Sequence, residues 1–368
     1  MEPKEKKITA YMRIYNETKA GIISGRYPYM SKLPSKRTMS DESGVSVITV
    51  EHAYAILCDE GYVEAREKSG YFVIYRESDF NSRESDLSSG ESAPPLSAPL
   101  SAGHIRTDSN RFPYSVLAKT MRRVLLDYGE RILVKSPNLG TPELRAAISG
   151  YLTRSCGIHA RPAQIIIGSG AEYLYNLIIM LLGKDIIFAL EDPSYEKIRR
   201  VYEASGVKYE MLKLAPDGIP SAELKKSRAK VLHVTPFNSF PSGVTVGATK
   251  RREYLDFAGE RDGYIIEDNY DSELTVSRKY EETIFSLSEK GSVIYLNTFS
   301  RTIAPSMRAG YMVLSPELSE RFEKTLGFYS CTVPVFEQYV IAGLIGSGDY
   351  ERHINRVRRA RRRALNGK

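Results

Sequence analysis

The chain has 368 residues, of which 42% are hydrophobic and 26% are charged, and it carries a formal net charge of +7 at pH 7. One hydrophobic core stops growing at about 250 to 300 residues, so this length predicts two domains of unequal size. The near-average composition excludes global disorder. No run approaches about 18 uninterrupted apolar residues, which argues against a membrane span or export and favours a cytoplasmic protein.

The front of the chain has the pattern of three helices. Apolar residues recur at helical spacing from Ile8 to Ile22, and Gly25 stands where a glycine commonly ends a helix. Pro34-Ser35 opens a second, short helix that ends near Gly44, and Ser46 is placed to cap a third. Two helices joined by a tight turn that contains glycine predict a helix-turn-helix.

A β-hairpin follows the third helix. The segment from Tyr62 to Ile74 is rich in β-formers and is interrupted at residues 68–70, which predicts a wing. A recognition helix needs donors near its N-terminal end, where a DNA groove comes closest. We therefore expect contacts with double-stranded DNA from polar residues that begin the second and third helices or lie in the wing: Ser35, Lys36, Arg37, Ser46, Thr49, Lys68, Ser69 and Gly70. Each of them alone suits a solvated surface equally well.

Composition changes after the wing. From Glu77 to Thr107 the sequence is rich in Ser, Pro, Glu and Asp, which indicates a flexible linker. Short apolar runs, each a predicted strand, then alternate with amphipathic helical stretches: Ile165 to Gly168, Asp185 to Leu190, Lys230 to Thr235, Tyr264 to Asp268, Val293 to Asn297 and Gly310 to Leu314. This alternation predicts an α/β fold with a mostly parallel or mixed sheet. The expected division is a DNA-binding domain at 1–76, a linker at 77–107 and a larger domain at 108–368.

Several loops after the predicted strands carry groups that suit a phosphorylated pyridine. Gly170 and Ala171 lie between a strand and a helix, where backbone N–H groups bind phosphate. Tyr195 follows another strand and offers a ring for stacking, while Asp268 and Tyr270 could hold a pyridine nitrogen and a ring hydroxyl. A structural glycine turn and solvated acidic loops are the alternatives. The cysteines and histidines lack ligand spacing, so we assign no metal.

The front module resembles the GntR family of winged-helix repressors. The similarity rests on the ordered segments Ile22–Arg26, Leu33–Arg37, Gly44–Ser46 and Glu60–Tyr62, and it spans nearly all of residues 8 to 75. Members of that family usually have arginine directly after the serine that caps the third helix. This chain has Val47 there, so the resemblance implies that one DNA contact is missing.

The rest of the chain is similar to fold-type-I aminotransferases. The segments that carry this resemblance, in the family's order, are Leu139–Arg145, Glu191–Tyr195, Pro236–Gly243, the acids at 267–271, and Thr298–Thr302 ahead of Arg308. Joined to the GntR-like module, they resemble the MocR family of regulators. The resemblance implies that Thr298, Ser300 and Arg308 hold the phosphate of pyridoxal 5′-phosphate, and that the protein is a homodimer.

Two departures from that family change the expected chemistry. Arg301 occupies the position of the Schiff-base lysine, and a guanidinium stays protonated up to about pH 12. The resemblance therefore implies no catalytic residue, and pyridoxal 5′-phosphate that binds non-covalently or not at all. Family members also continue beyond the segment that matches His353 to Lys368, so we expect the larger domain to be shortened at its C-terminal end.

Three hypotheses follow. The first is a transcription regulator whose aminotransferase-like domain binds a pyridoxal-phosphate-type or amino-acid-type effector without turnover. The second is a pyridoxal-phosphate-dependent aminotransferase, which Arg301 disfavours. The third is a degenerate remnant that only dimerises.

Overall fold

The computed structural model describes residues 9–66, 69–75, 112–276 and 282–366. The chain divides into two compact units, Met1–Gly103 and His104–Lys368. The linker predicted at 77–107 and the wing residue Lys68 lie outside the described residues. None of the described helices has the length and the apolar character that crossing a lipid bilayer requires.

The first unit contains three helices and a β-hairpin. They are α1 (Ala10–Ile23), α2 (Lys36–Ser43), α3 (Val47–Asp59), β1 (Val63–Arg66) and β2 (Gly70–Val73). The Ser35 hydroxyl accepts a hydrogen bond from the Thr38 N–H at 3.1 Å and so begins α2. Gly44 ends α2 in the left-handed conformation, with φ of 64°. The predicted helix-turn-helix and wing are confirmed.

One hydrophobic core holds this unit together. Val50, Ala53, Tyr54 and Leu57 of α3 are each 0% exposed and pack against α1 and the hairpin. The two strands pair antiparallel, with Val63 opposite Val73. Since one face of α3 is completely buried, its opposite face is left for solvent or a partner.

The second unit has seven strands and ten α-helices within its described residues. Its helices are α4 (Tyr114–Tyr128), α5 (Pro142–Cys156), α6 (Ala171–Leu182), α7 (Glu196–Ala204), α8 (Ser221–Lys226), α9 (Ala248–Glu260), α10 (Ile284–Leu287), α11 (Pro316–Leu326), α12 (Val335–Gly346) and α13 (Asp349–Asn366). Its strands are β3 (Ile165–Gly168), β4 (Phe188–Asp192), β5 (Tyr209–Lys213), β6 (Val231–Val234), β7 (Tyr264–Asp268), β8 (Val293–Thr298) and β9 (Gly310–Val313).

The seven strands form one mixed sheet in the order β3-β9-β8-β7-β6-β4-β5. Only β9 runs antiparallel to its neighbours, β3 and β8. Tyr311 and Val313 face one apolar cluster, which includes α5 and α12, while Met312 faces another, which includes α6 and α11. Helices therefore cover both faces, and the predicted α/β fold with a mostly parallel, mixed sheet is confirmed.

The sheet also determines where a site can form. Strands β3, β4, β6, β7 and β8 run in one direction, so their carboxyl ends meet at one edge. In open α/β sheets this edge is where ligands bind. Polar side chains that follow these strands are thus brought together from distant parts of the sequence.

Candidate functional site

A cavity of about 400 Å³ lies at the carboxyl edge of the sheet. Eight residues that the sequence predicted for the pocket line it: Ala171, Tyr195, Asp268, Tyr270, Thr298, Ser300, Arg301 and Arg308. Gly170 caps the adjoining helix α6, with φ of 101°. A Cβ atom on Gly170 would stand 2.9 Å from the Arg308 Nη2 atom, so glycine leaves the room that this guanidinium occupies.

One end of the cavity is cationic. The Arg308 Nη2 atom donates to Glu172 Oε2 at 2.9 Å, and Lys197 Nζ lies 3.3 Å from Glu172 Oε1. Burial of the Glu172 carboxyl opposes its ionisation, but the helix N–H groups and these two cations lower its pKa. Thr298 and Ser300 add two hydroxyl groups to the same cavity. The guanidinium, hydroxyls and helix N-terminus together form a donor set that suits a phosphate.

Asp268 is a buried carboxylate in the wall of the cavity. It ends β7, is 3% exposed, and accepts hydrogen bonds from the Tyr175 hydroxyl and from the Tyr270 N–H, the latter at 3.2 Å. His233 Nε2 lies 3.8 Å from Asp268 Oδ2 and has no hydrogen-bond partner among the described residues. The His233 Nδ1 atom is held at 2.8 Å by the Tyr202 hydroxyl. The carboxylate is thus fixed in orientation, with one buried polar atom beside it left unsatisfied.

Arg301 contacts a carboxylate at the cavity wall. Its Nη2 atom lies 3.3 Å from Asp271 Oδ1, and its side chain remains 55% exposed. Asp271 also receives Arg361 from α13 at 3.4 Å and the Asn238 side-chain amide at 3.1 Å. The Arg301 guanidinium is therefore one of two that neutralise the buried Asp271.

Tyr270 is held beside this cluster. Its hydroxyl donates to the Asn238 carbonyl at 2.9 Å. Burial, together with the nearby Asp271 carboxylate, raises the pKa of Tyr270 to about 12. The phenol therefore stays protonated at neutral pH and can act as a hydrogen-bond donor. Tyr195 is 41% exposed and meets Phe240 edge to face, with 6.1 Å between ring centroids.

Sequence reasoning missed four groups in the second unit that support this site. Tyr175 lies one turn into α6, and only the fold brings it to Asp268. The sequence marks His233 as unusual, because it is the one polar residue within the apolar strand β6, but it does not show which group His233 faces. The roles of Asn238 and Arg361 depend on contacts with Asp271, from positions 33 and 90 residues away.

The predicted DNA-contacting residues lie at two helix starts and in the wing. The side chains of Ser35 and Ser46 cap α2 and α3, and the Thr49 hydroxyl lies 2.8 Å from that of Ser46. The Lys36 Nζ atom is paired with Glu51 Oε1 at 2.7 Å. In this unit, Arg37 and Ser69 are exposed, and Gly70 opens strand β2 with φ of 108°.

Comparisons with known proteins agree with both units. Residues 10–73 match bacterial regulatory proteins of the gntR family, and residues 98–365 match aminotransferase class I and II. The chain is 32% identical to YdeL, an uncharacterized HTH-type transcriptional regulator of Bacillus subtilis (strain 168), over 97% of this chain and 77% of that protein. It is 28% identical to MocR of Rhizobium meliloti, a probable rhizopine catabolism regulatory protein, over 96% of this chain and 75% of that protein.

A solved structure extends the likeness of the second unit. The kynurenine aminotransferase of Pyrococcus horikoshii, solved in complex with PMP, superposes with a TM-score of 0.61 and 27% identity. The match covers 67% of this chain and 64% of that one, which is less than two thirds of the aminotransferase.

The fold and the pocket define a class of protein, namely a winged helix-turn-helix followed by an aminotransferase-like unit of fold type I. The chain belongs to the MocR-type HTH transcriptional regulators, in which a GntR domain precedes an aminotransferase class I and II domain. It is therefore a DNA-binding regulator.

Proposed function

We propose that the aminotransferase-like unit of this regulator binds a pyridoxal-phosphate-type or amino-acid-type effector without turnover. The observation that carries the proposal is Arg301, which lines the cavity and is paired with Asp271. By the resemblance to aminotransferases, this arginine stands where they have the Schiff-base lysine. A guanidinium has no free electron pair to attack a carbonyl group at neutral pH. The pocket therefore binds a ligand but lacks the nucleophile for transamination.

The residues present fit pyridoxal 5′-phosphate as a non-covalent ligand. Arg308, Thr298, Ser300 and the N–H groups that begin α6 would hold the phosphate. Asp268, already fixed by Tyr175, would hold the ring nitrogen protonated. When bound, the cofactor supplies an electron-withdrawing ring and an aldehyde. A related aminotransferase has been solved with PMP, which supports this class of ligand.

The charges of the cavity also suit an amino acid or its adduct. Arg301 and Arg308 are both more than half exposed, at 55% and 54% of their side-chain surface. Two guanidinium groups on one cavity favour a ligand with two anionic groups, such as a phosphate and a carboxylate. In this arrangement Arg301 exchanges Asp271 for the ligand's carboxylate.

Titration with pyridoxal 5′-phosphate tests the proposal. The chain has 25 tyrosines and no tryptophan, so tyrosine fluorescence reports binding. We expect the natural chain to release the ligand on dialysis, whereas Arg301→Lys retains it and, after borohydride reduction, gains the mass of one cofactor. Arg308→Ala should weaken binding in either background, by about tenfold or more for a lost charged hydrogen bond. Amino-group transfer by the natural chain would contradict the proposal, as would retention of ligand equal to that of Arg301→Lys.

In this proposal, residues 1–76 form the domain that contacts DNA and residues 108–368 form the domain that senses the ligand. Residues 77–107 are the linker between these two domains. The proposal also includes a homodimer, because two helix-turn-helix units are needed to meet two half-sites. Large apolar side chains exposed around α4 support a second copy of the chain as the partner: Tyr114, Leu125, Leu126, Leu133 and Val134.

A further inference from the structure

The first turn of α3 exposes two adjacent apolar side chains. Ile48 is 77% exposed and Val47 is 39% exposed. A single exposed hydrophobic residue needs no explanation, but two at the start of the second helix of a helix-turn-helix stand where base edges are contacted. The same helix buries its other face completely, at Val50, Ala53 and Tyr54. The outward direction of Ile48 is therefore fixed by the packing of α3.

The polar groups nearest to this pair are already engaged. The Ser46 hydroxyl accepts from the Thr49 N–H at 3.2 Å, and the two hydroxyls lie 2.8 Å apart. Glu51, one turn further along α3, is paired with Lys36 at 2.7 Å. The surface that α3 presents at its start is thus mainly aliphatic.

Basic and acidic side chains are equal in number in this unit's helix-turn-helix and wing. Between residues 10 and 73 the sequence has eight of each. Contacts with phosphates position a protein on the duplex, whereas contacts with base edges in the groove read the sequence. The one apolar group that the bases present in the major groove is the 5-methyl of thymine.

We infer that Val47 and Ile48 form a thymine-methyl contact through which this regulator selects its operator. The position after the capping serine then does not lack a DNA contact. It makes an apolar contact with the bases instead of a charged one. This inference rests on the DNA-binding assignment of the first unit and is independent of any ligand in the second.

Uracil substitution tests the contact directly. Duplexes that bind the purified full chain are selected from a random library, and each thymine of the selected sequence is then replaced by uracil, which removes only the methyl group. We expect at least one position per half-site at which uracil weakens binding about fourfold, the effect of exposing one buried methyl. Binding is measured by fluorescence anisotropy at one salt concentration.

Ile48→Ala identifies the side chain responsible. Because Ile48 is exposed, the variant should keep the melting temperature of the natural chain while losing the discrimination between thymine and uracil at that position. Ile23→Ala is the matched control, since Ile23 is 49% exposed but ends α1. It should keep the discrimination.

Two outcomes would overturn the inference alone: binding that is indifferent to uracil at every position, or an Ile48→Ala variant that discriminates as the natural chain does. Failure to select any duplex would overturn the DNA-binding assignment together with it.

Discussion

Glu191 shows how a single buried acid connects the sheet to the site. It lies in β4, is 2% exposed, and accepts a hydrogen bond from the Ser239 hydroxyl at 2.8 Å. Ser239 directly follows Asn238, which contacts Asp271. Burial raises the pKa of Glu191 to about 8, so at neutral pH the carboxyl group is mostly protonated.

This raised pKa predicts a pH-dependent stability. In the unfolded chain a glutamate ionises near pH 4.3, so between that pH and about 8 the folded state holds a proton that the unfolded state has released. Stability therefore falls as pH rises through this window, by at most about 1.4 kcal/mol per pH unit. Glu191→Gln removes this contribution and keeps an acceptor for Ser239.

Denaturant unfolding at pH 5, 6.5 and 8 measures the effect. Relative to the natural chain, Glu191→Gln should gain stability on the order of 3 kcal/mol between pH 5 and pH 8. Glu267 and Glu273 are also buried, with pKa values raised to about 7, but they contribute to both proteins and cancel in the comparison. Parallel stability curves for the two proteins would show that Glu191 is already ionised in the fold.

At the scale of elements, the burial of Glu191 explains why the bounds predicted for β4 were wrong. The apolar run predicts a strand from Asp185 to Leu190, but β4 spans Phe188–Asp192 and includes the buried Glu191. The prediction ended this strand before Glu191, because the sequence does not show that the fold buries this acid protonated. Strand β5 (Tyr209–Lys213) was not predicted, since it lies at the sheet edge and its charged residues, Glu210 and Lys213, leave only a short apolar run. In contrast, β7 was predicted at its observed bounds.

The cavity residues also fall into two groups, those that a sequence motif predicts and those that only the fold brings to the site. Residues within motifs, such as Asp268 and Arg308, could be predicted because a motif preserves its order in the chain. His233 and Arg361 could not, since only the strand order and the docking of α13 bring them to Asp268 and Asp271. Arg358 of α13 likewise donates to the Glu273 carbonyl, a contact that only the docking of this helix creates.

Two serine helix caps, one in each unit, give a prediction about the stability of each unit. Ser46 caps α3, and Ser315 caps α11 by accepting from the Leu318 N–H at 3.2 Å. Loss of either hydroxyl should cost about 1 kcal/mol. Calorimetry of the full chain should show Ser46→Ala lowering the transition of the smaller unit by about 4 to 8 °C. Ser315→Ala should lower that of the larger unit by about 2 to 4 °C.

Each variant is the control for the other. If both changes moved the same transition equally, the two units would unfold as one cooperative body.

At the scale of the whole molecule, net charge is a poor guide to the DNA-binding surface. The chain carries +7 overall, yet residues 10–73 are balanced. Helix α13 alone has seven arginines against two acids, and two of the arginines, Arg358 and Arg361, contact the segment that follows β7. Part of the excess charge thus serves the architecture of the second unit. The net charge of the whole chain therefore does not distinguish charges that bind DNA from charges that stabilise the second unit.

The exposed apolar residues around α4 give the last prediction. Leu126 is 84% exposed and Leu133 is 82% exposed, and such residues are costly in water unless a partner covers them. If a second copy covers them, Leu126→Asp buries a carboxylate in the interface and should shift the protein from dimer to monomer in sedimentation velocity. Because one helix-turn-helix then meets one half-site, affinity for a two-site duplex should fall by at least about a hundredfold. Leu365→Asp changes a leucine that is 64% exposed on α13 and should leave both properties unchanged. A Leu126→Asp variant that still sediments as a dimer would place the interface on another surface.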